Sequence, residues 1–171
     1  MAEDTLVSPA YVRMLAKYNG EMNRRLYGAA AEIPDAERRA QRGAFWDSIH
    51  GTLNHLLWGD QQWMSRFDGW DKPAVAQKQS ATLIEDFDAL AAARIAADAR
   101  IVDWAGRVDD AYVSGDTSWF SGAMQRDLTM PTGLLLVHFF NHQTHHRGQA
   151  HALITAAGQQ TGDTDLFMVL G

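Results

Sequence analysis

Seven histidines carry most of the chemical potential of this 171-residue chain: His50, His55, His138, His142, His145, His146 and His151. Four of them fall between positions 138 and 146, in a segment whose apolar residues recur at helical spacing. On a helix, residues four apart share a face and are offset by ~6 Å along the axis. His138, His142 and His146 therefore form one stripe, continued by Gln149 and Leu153. The outer two are ~12 Å apart in helix rise, too far for one ion, so either His138/His142 or His142/His146 makes a pair. Imidazole suits zinc, nickel, iron and copper. A pair from one helix leaves a site incomplete, and His50 and His55 are the candidates for a third ligand. These two lie roughly 140° apart around a helix and do not face the same way. Periodicity leaves that choice open.

Four long helical segments must position these residues. The first opens at Ser8-Pro9, an N-cap followed by proline at the first helical position, and places Tyr11, Met14, Leu15, Tyr18, Met22 and Leu26 on one stripe. It breaks near Ile33-Pro34-Asp35. The second is predicted from about Ala36 to Phe67, with Ile49, Leu53, Leu56, Leu57 and Trp63 as its apolar positions and Asp68-Gly69 as its stop. The third begins around Ser80, with Thr82 and Glu85 spaced as a capping box. Ile84, Phe87, Ala91, Ile95 and Val102 mark its buried side, and Gly106 lies near its end.

The stretch from about Asp109 to Met130 is the least helical. Tyr112-Val113 and Trp119-Phe120 flank Ser114-Gly115-Asp116, which predicts a short hairpin there. The fourth helix runs from Pro131 to about Ala157 and is closed by Gly158. The tail, with Leu166, Phe167, Met168, Val169 and Leu170, is apolar enough to dock on the helices. These elements predict an all-α four-helix bundle, with an irregular or hairpin insert before the last long helix, as one domain over residues 1–171.

Composition removes several function classes. There is no cysteine, which excludes disulfides, zinc ribbons, iron–sulfur clusters and a cysteine nucleophile. Fifteen Lys plus Arg against 21 Asp plus Glu give a net charge of −6 with the basic residues scattered, which disfavours nucleic acid as a partner. No apolar run approaches the ~20 residues of a membrane helix, and the opening MAEDTLVSPA lacks a cationic start and apolar core, so a cytoplasmic location is expected. HExxH, GxGxxG and Walker A patterns are absent, and no glutamate has a histidine three positions later, as the di-iron bundles require.

The stretch Ser48-Ile49-His50-Gly51-Thr52-Leu53-Asn54-His55-Leu56-Leu57-Trp58-Gly59-Asp60, followed by Trp63, resembles the second helix of DinB-like proteins. His138-Phe139-Phe140-Asn141-His142-Gln143-Thr144-His145-His146-Arg147-Gly148-Gln149 is similar to the fourth-helix signature of that family, and Tyr18-Asn19 to Met22-Asn23 to its first helix. The likeness spans nearly the whole chain and is loosest between residues 70 and 130. It implies a four-helix bundle, commonly a homodimer, holding one divalent metal through His55, His142 and His146, with His145 beside them as a non-ligand. Family members with assigned activities include transferases and isomerases that use small thiols.

Three neutral histidines leave an ion with an open coordination position, the pattern of a catalytic rather than a structural site. A thiol bound there is deprotonated at neutral pH, and in a chain without cysteine it must arrive as a cosubstrate. Together with this chemistry, the resemblance implies a zinc, nickel or iron enzyme, a thiol-dependent S-transferase or isomerase acting on a small electrophile. The alternatives are a metal-dependent hydrolase using bound hydroxide and a non-catalytic metal-binding helical dimer.

Around the ligands, Asn141 and Gln149 are placed to orient an imidazole or a water. Asp60 is expected at the side of the site or on a solvated helix face. Arg147 either attracts an anionic substrate or pairs at the surface, and Arg94 and Asp98 are spaced to pair with each other. Tyr18, Met22, Trp58 and Trp63 read as core. His50, His138 and His151 read first as hydrogen-bonded helix residues.

Overall fold

A computed structural model of the chain describes residues 6–122 and 124–171. Residues 1–5, half of the opening read above for a leader, lie outside the described residues. The chain is mostly helical. Its elements run α1 (Pro9–Ala31), α2 (Asp35–Arg39), α3 (Ile49–Phe67), a 3-10 turn (Gln77–Thr82), α4 (Phe87–Arg107), α5 (Asp110–Ser114), β1 (Asp116–Ser121), β2 (Arg126–Pro131), α6 (Thr132–Ala156) and α7 (Leu166–Leu170). The long helices are α1, α3, α4 and α6. Both α1 and α3 pack against α4 and α6. Leu53, Leu56, Leu57 and Met64 of α3 meet Leu136, Phe139 and Phe140 of α6 in the core they enclose, with Leu90 and Ile101 of α4. Each such side chain contributes about 1.5–3 kcal/mol by leaving water. No helix among the described residues is long and apolar enough to cross a membrane.

Local signals fix the helix ends. The Ser8 hydroxyl accepts from the Tyr11 N–H at 3.2 Å to start α1, and Ser48 accepts from the Gly51 N–H at 3.0 Å to start α3. Helix α6 begins directly after Pro131 and ends before Gly158, whose φ of 89° only glycine adopts without strain.

Other expectations are corrected. The helix predicted from about Ala36 to Phe67 is two helices. Gly43 and Asp47 between them have φ of 71° and 64°, left-handed conformations that end any helix, and Ser48 then caps a new one. The third long helix starts at Phe87 rather than near Ser80. Its cap is Asp86, which accepts from the Ala89 N–H at 2.8 Å, while Thr82 donates to the Gln79 carbonyl instead of joining a capping box.

The buried side of α4 is also displaced. It runs Phe87, Leu90, Arg94, Ala97, Ile101 and Trp104, leaving Ile95 67% exposed. On α1, Met22 and Leu26 are buried as expected, whereas Met14 faces out.

The hairpin exists with another register. Its turn lies after Ser121, its strands pair from Asp116 with Pro131 to Ser121 with Arg126, and Tyr112-Val113 belong to α5. It leans on α3 and α6. The tail forms α7 and contacts α1, but Phe167 stays exposed.

Candidate metal centre

Helices α3 and α6 bring His55, His142 and His146 together. One ring nitrogen from each lies within 4.8 Å of the others. Ring centroids are 5.5 Å apart for His55 and His142, and 4.4 Å apart both for His55 and His146 and for His142 and His146. Of the two pairs that spacing left open on the fourth helix, the structure brings His142 and His146 to the third imidazole. Of the two candidates on the second, it brings His55.

Each ring is held by its own device. His55 is buried, and its Nδ1 lies 2.8 Å from Ser80 Oγ in the 3-10 turn. With the proton on Nδ1, Ser80 accepts it and Nε2 keeps a free lone pair. Asn54 pins the segment that follows this turn to α3, accepting from the Ile84 N–H at 2.7 Å and donating to the Ile84 carbonyl at 3.1 Å. The Trp46 indole stacks on the His55 ring at 3.9 Å and 20°.

His146 donates from Nδ1 to Gln149 Oε1 at 2.7 Å, since an amide oxygen only accepts, and its Nε2 is likewise free. Gln149 thus does what the sequence expected of it. Asn141 is exposed.

His142 approaches α3 over Gly59. A Cβ at that position would lie 2.7 Å from His142 Cε1 and 3.3 Å from its Nδ1. A Gly59→Ala substitution is therefore expected to push the ring aside and weaken metal binding about tenfold or more. The metal-free protein should melt no lower, because Ala is favoured over Gly inside a helix by about 0.5–1 kcal/mol. Metal titration beside thermal melting checks both halves.

The donor set fits a divalent ion. The Nδ1 of His142 is buried without a hydrogen-bond partner among the described residues, an orphaned group of the kind a ligand completes. All three rings are held neutral, as ligation requires. Burial, with the neighbouring rings adding to it, pushes His55 down to about 3 and His142 down to about 4, and burial also lowers His146.

These shifts set a pH dependence. The folded values lie below the ordinary histidine pKa of about 6.5, so below that pH the unfolded chain takes up protons the folded chain refuses. Stability of the metal-free protein is therefore full above about pH 6.5 and falls as the pH drops toward about 4. Melting curves of chelator-treated protein should show a steady decline across that window. A flat profile would contradict it.

The remaining histidines are placed apart from the three. His50 is buried and donates from Nε2 to the Ile84 carbonyl at 3.1 Å. The His138 ring lies 4.9 Å from that of Trp63 and 5.9 Å from that of His142. His145 is exposed beside His146, its Nε2 3.3 Å from the Gln149 amide nitrogen. His151 bonds Thr161.

Asp60 is neither solvated nor among the three. It is 1% exposed and accepts from Arg94 Nη1 at 2.5 Å and Gln143 Nε2 at 2.7 Å. Arg94 does pair with Asp98, at 2.7 Å, but inside the protein. Arg147 is buried rather than on the surface.

Sequence reasoning missed Ser80, Trp46 and the role of Gly59. Only the glycine left a signal, since a glycine inside a helix four residues after a candidate ligand marks a close approach. No curated protein matches the chain. The model of the DinB family matches residues 1–170, across every element that carries the three histidines, and the chain belongs to that family.

Proposed function

We propose that this chain is a metal-dependent enzyme that uses a low-molecular-weight thiol, either transferring it to a small electrophile or isomerising a small substrate with it. In this reading the domain is one four-helix bundle over residues 1–171, works as a homodimer in the cytoplasm, and binds its ion through His55, His142 and His146. The observation that carries the proposal is the convergence of three neutral imidazoles, with no fourth histidine or carboxylate grouped with them among the described residues. Three protein ligands and an open position are the mark of catalytic metal sites, whereas structural sites are closed by four. A divalent ion held there supplies the charge that lowers the pKa of a thiol or water at the open position.

The chain's own residues do the rest. Ser80 and Gln149 fix the orientation of two imidazoles, Trp46 covers one face of His55, and Gly59 admits His142. With no cysteine in the chain, the sulfur nucleophile must come from outside.

The test is an assay of protein loaded in turn with zinc, nickel and iron(II), against low-molecular-weight thiols combined with chloronitrobenzenes, epoxides and cis-enediones. Turnover that needs both thiol and metal is the expected result. Ester or amide cleavage without thiol would replace the reading with a hydrolase. No turnover with any metal, together with a large loss of melting temperature on chelation, would make the ion structural.

A further inference from the structure

Helix α6 has a second face, turned to α1, and a cavity of about 210 Å³ lies between them. Tyr18, Met22 and Leu26 line it from α1, Arg147 from α6, and Thr161 and Thr164 from the segment after α6. That segment is tied to both helices. The Tyr18 hydroxyl donates to the Thr164 carbonyl at 2.5 Å, Arg25 Nη1 donates to the Asp163 carbonyl at 3.0 Å, and Thr161 bonds His151 Nδ1 at 2.6 Å.

Arg147 is the anomaly in this cavity. It is 6% exposed, yet takes part in no ion pair among the described residues. Among the described residues its one hydrogen bond is from Nη2 to Thr144 Oγ1 at 3.2 Å, and its Nη1 is buried without a partner. The guanidinium carbon lies 5.6 Å from the centre of the Tyr18 ring.

The acids around it are engaged elsewhere. Asp60 holds Arg94 and Gln143, Asp98 holds Arg94 and Asn23, and Glu21 holds Arg24 and Arg25. An arginine stays a cation at neutral pH even when buried. Buried charges are normally paired, because the loss of hydration is large.

We infer that this cavity binds a small amphipathic carboxylate, its anionic end on Arg147 and its apolar body against Tyr18, Met22 and Leu26. The guanidinium fork matches a carboxylate. A doubly charged phosphate would need a second uncommitted cation, and Arg25 is engaged by Glu21 and the Asp163 carbonyl. Size agrees as well. A cavity of about 150 Å³ accepts benzene, so this one accommodates a ring bearing a short acid side chain.

The test is a titration of the full chain with phenylacetate and, separately, with its neutral isostere phenylacetamide, followed by NMR on the signals of Tyr18, Met22 and Thr161. The acid should perturb all three and bind at least tenfold more tightly than the amide. Arg147→Gln should abolish that preference. Gly148→Leu supplies a second variant should Arg147→Gln fail to fold. Gly148 lines the cavity, and a Cβ there meets nothing within 4 Å, so the helix tolerates the change while the new side chain fills the space. It should weaken both ligands at least tenfold. Equal affinity for acid and amide, perturbations confined to other residues, no binding at millimolar concentration, or undiminished binding in Gly148→Leu would each overturn the inference.

Discussion

A His142→Ala chain is expected to lose metal binding while melting almost where the wild type does in its metal-free form. Structural zinc held by four ligands is worth about 10–16 kcal/mol. One ligand therefore accounts for on the order of 3 kcal/mol, about a hundredfold or more in affinity. His142 is a strong choice for this test because its buried Nδ1 has no hydrogen-bond partner to lose among the described residues. Its removal should change stability by no more than about 1 kcal/mol, or ~2–4 °C in a chain of this size. Elemental analysis of tag-free protein gives the first quantity and melting with chelator the second. If melting collapses together with binding, ion and fold are one equilibrium and the catalytic reading fails. If wild type takes up no zinc, nickel or iron, the three imidazoles are not a metal site at all.

What the sequence revealed of the fold depended on whether a local signal was also the strongest one nearby. Pro131 and Gly158 bound a long apolar run with nothing to compete, and α6 was legible almost to the residue. The break before α3 was hidden, because Gly43 and Asp47 interrupt a stretch that otherwise reads as helix-compatible. On α4 the apolar pattern misled. A stripe through Ile95 and Val102 avoids charge, while the true buried face carries Arg94 at its centre. Buried counter-charges make that face tolerable, and Asp60 on α3 supplies one beside Asp98 of α4 itself.

The candidate site divides in the same way. Spacing alone reduced seven histidines to two overlapping pairs and two possible third partners, and the family resemblance selected among them. His50 and His55 are both buried, so no burial pattern could have separated them. They differ in what they meet: His50 finds the Ile84 carbonyl and His55 finds Ser80 and two imidazoles. Ser80 was invisible because its 3-10 turn lies 25 residues from His55 in sequence.

Replacing Asp60 with alanine should be the most destabilising single change near the site, at about 3–5 kcal/mol, because it strips a counter-charge from a buried arginine. Arg94 and Asp60 are each 1% exposed, and the pair lies inside a network that reaches all four long helices. Gln143 of α6 donates to Asp60, and Asn23 of α1 donates to Asp98 at 2.9 Å. Asp98, already bonded to Arg94 and Asn23, is a poor replacement as sole partner. Burial pushes its carboxyl up to about 6 against the pull of Arg94, so it holds its negative charge less firmly than an ordinary carboxylate.

The loss should appear as a fall in melting temperature of roughly 10 °C or more. It should also reach the metal, because Asp60 follows Gly59 and Gln143 follows His142, so this bond holds the two helices in register where the imidazoles meet. A triple variant, Asp60→Leu with Arg94→Met and Asp98→Asn, removes all three charges together, keeps an acceptor for Asn23, and should recover most of the stability, since buried ionic groups exchanged together for uncharged side chains are often neutral. If the single variant loses less than about 1 kcal/mol, Arg94 has found another partner or water and the network does not hold the helices together. If the triple variant is as unstable as the single, the loss lies in packing at α3 and α4 rather than in an abandoned charge.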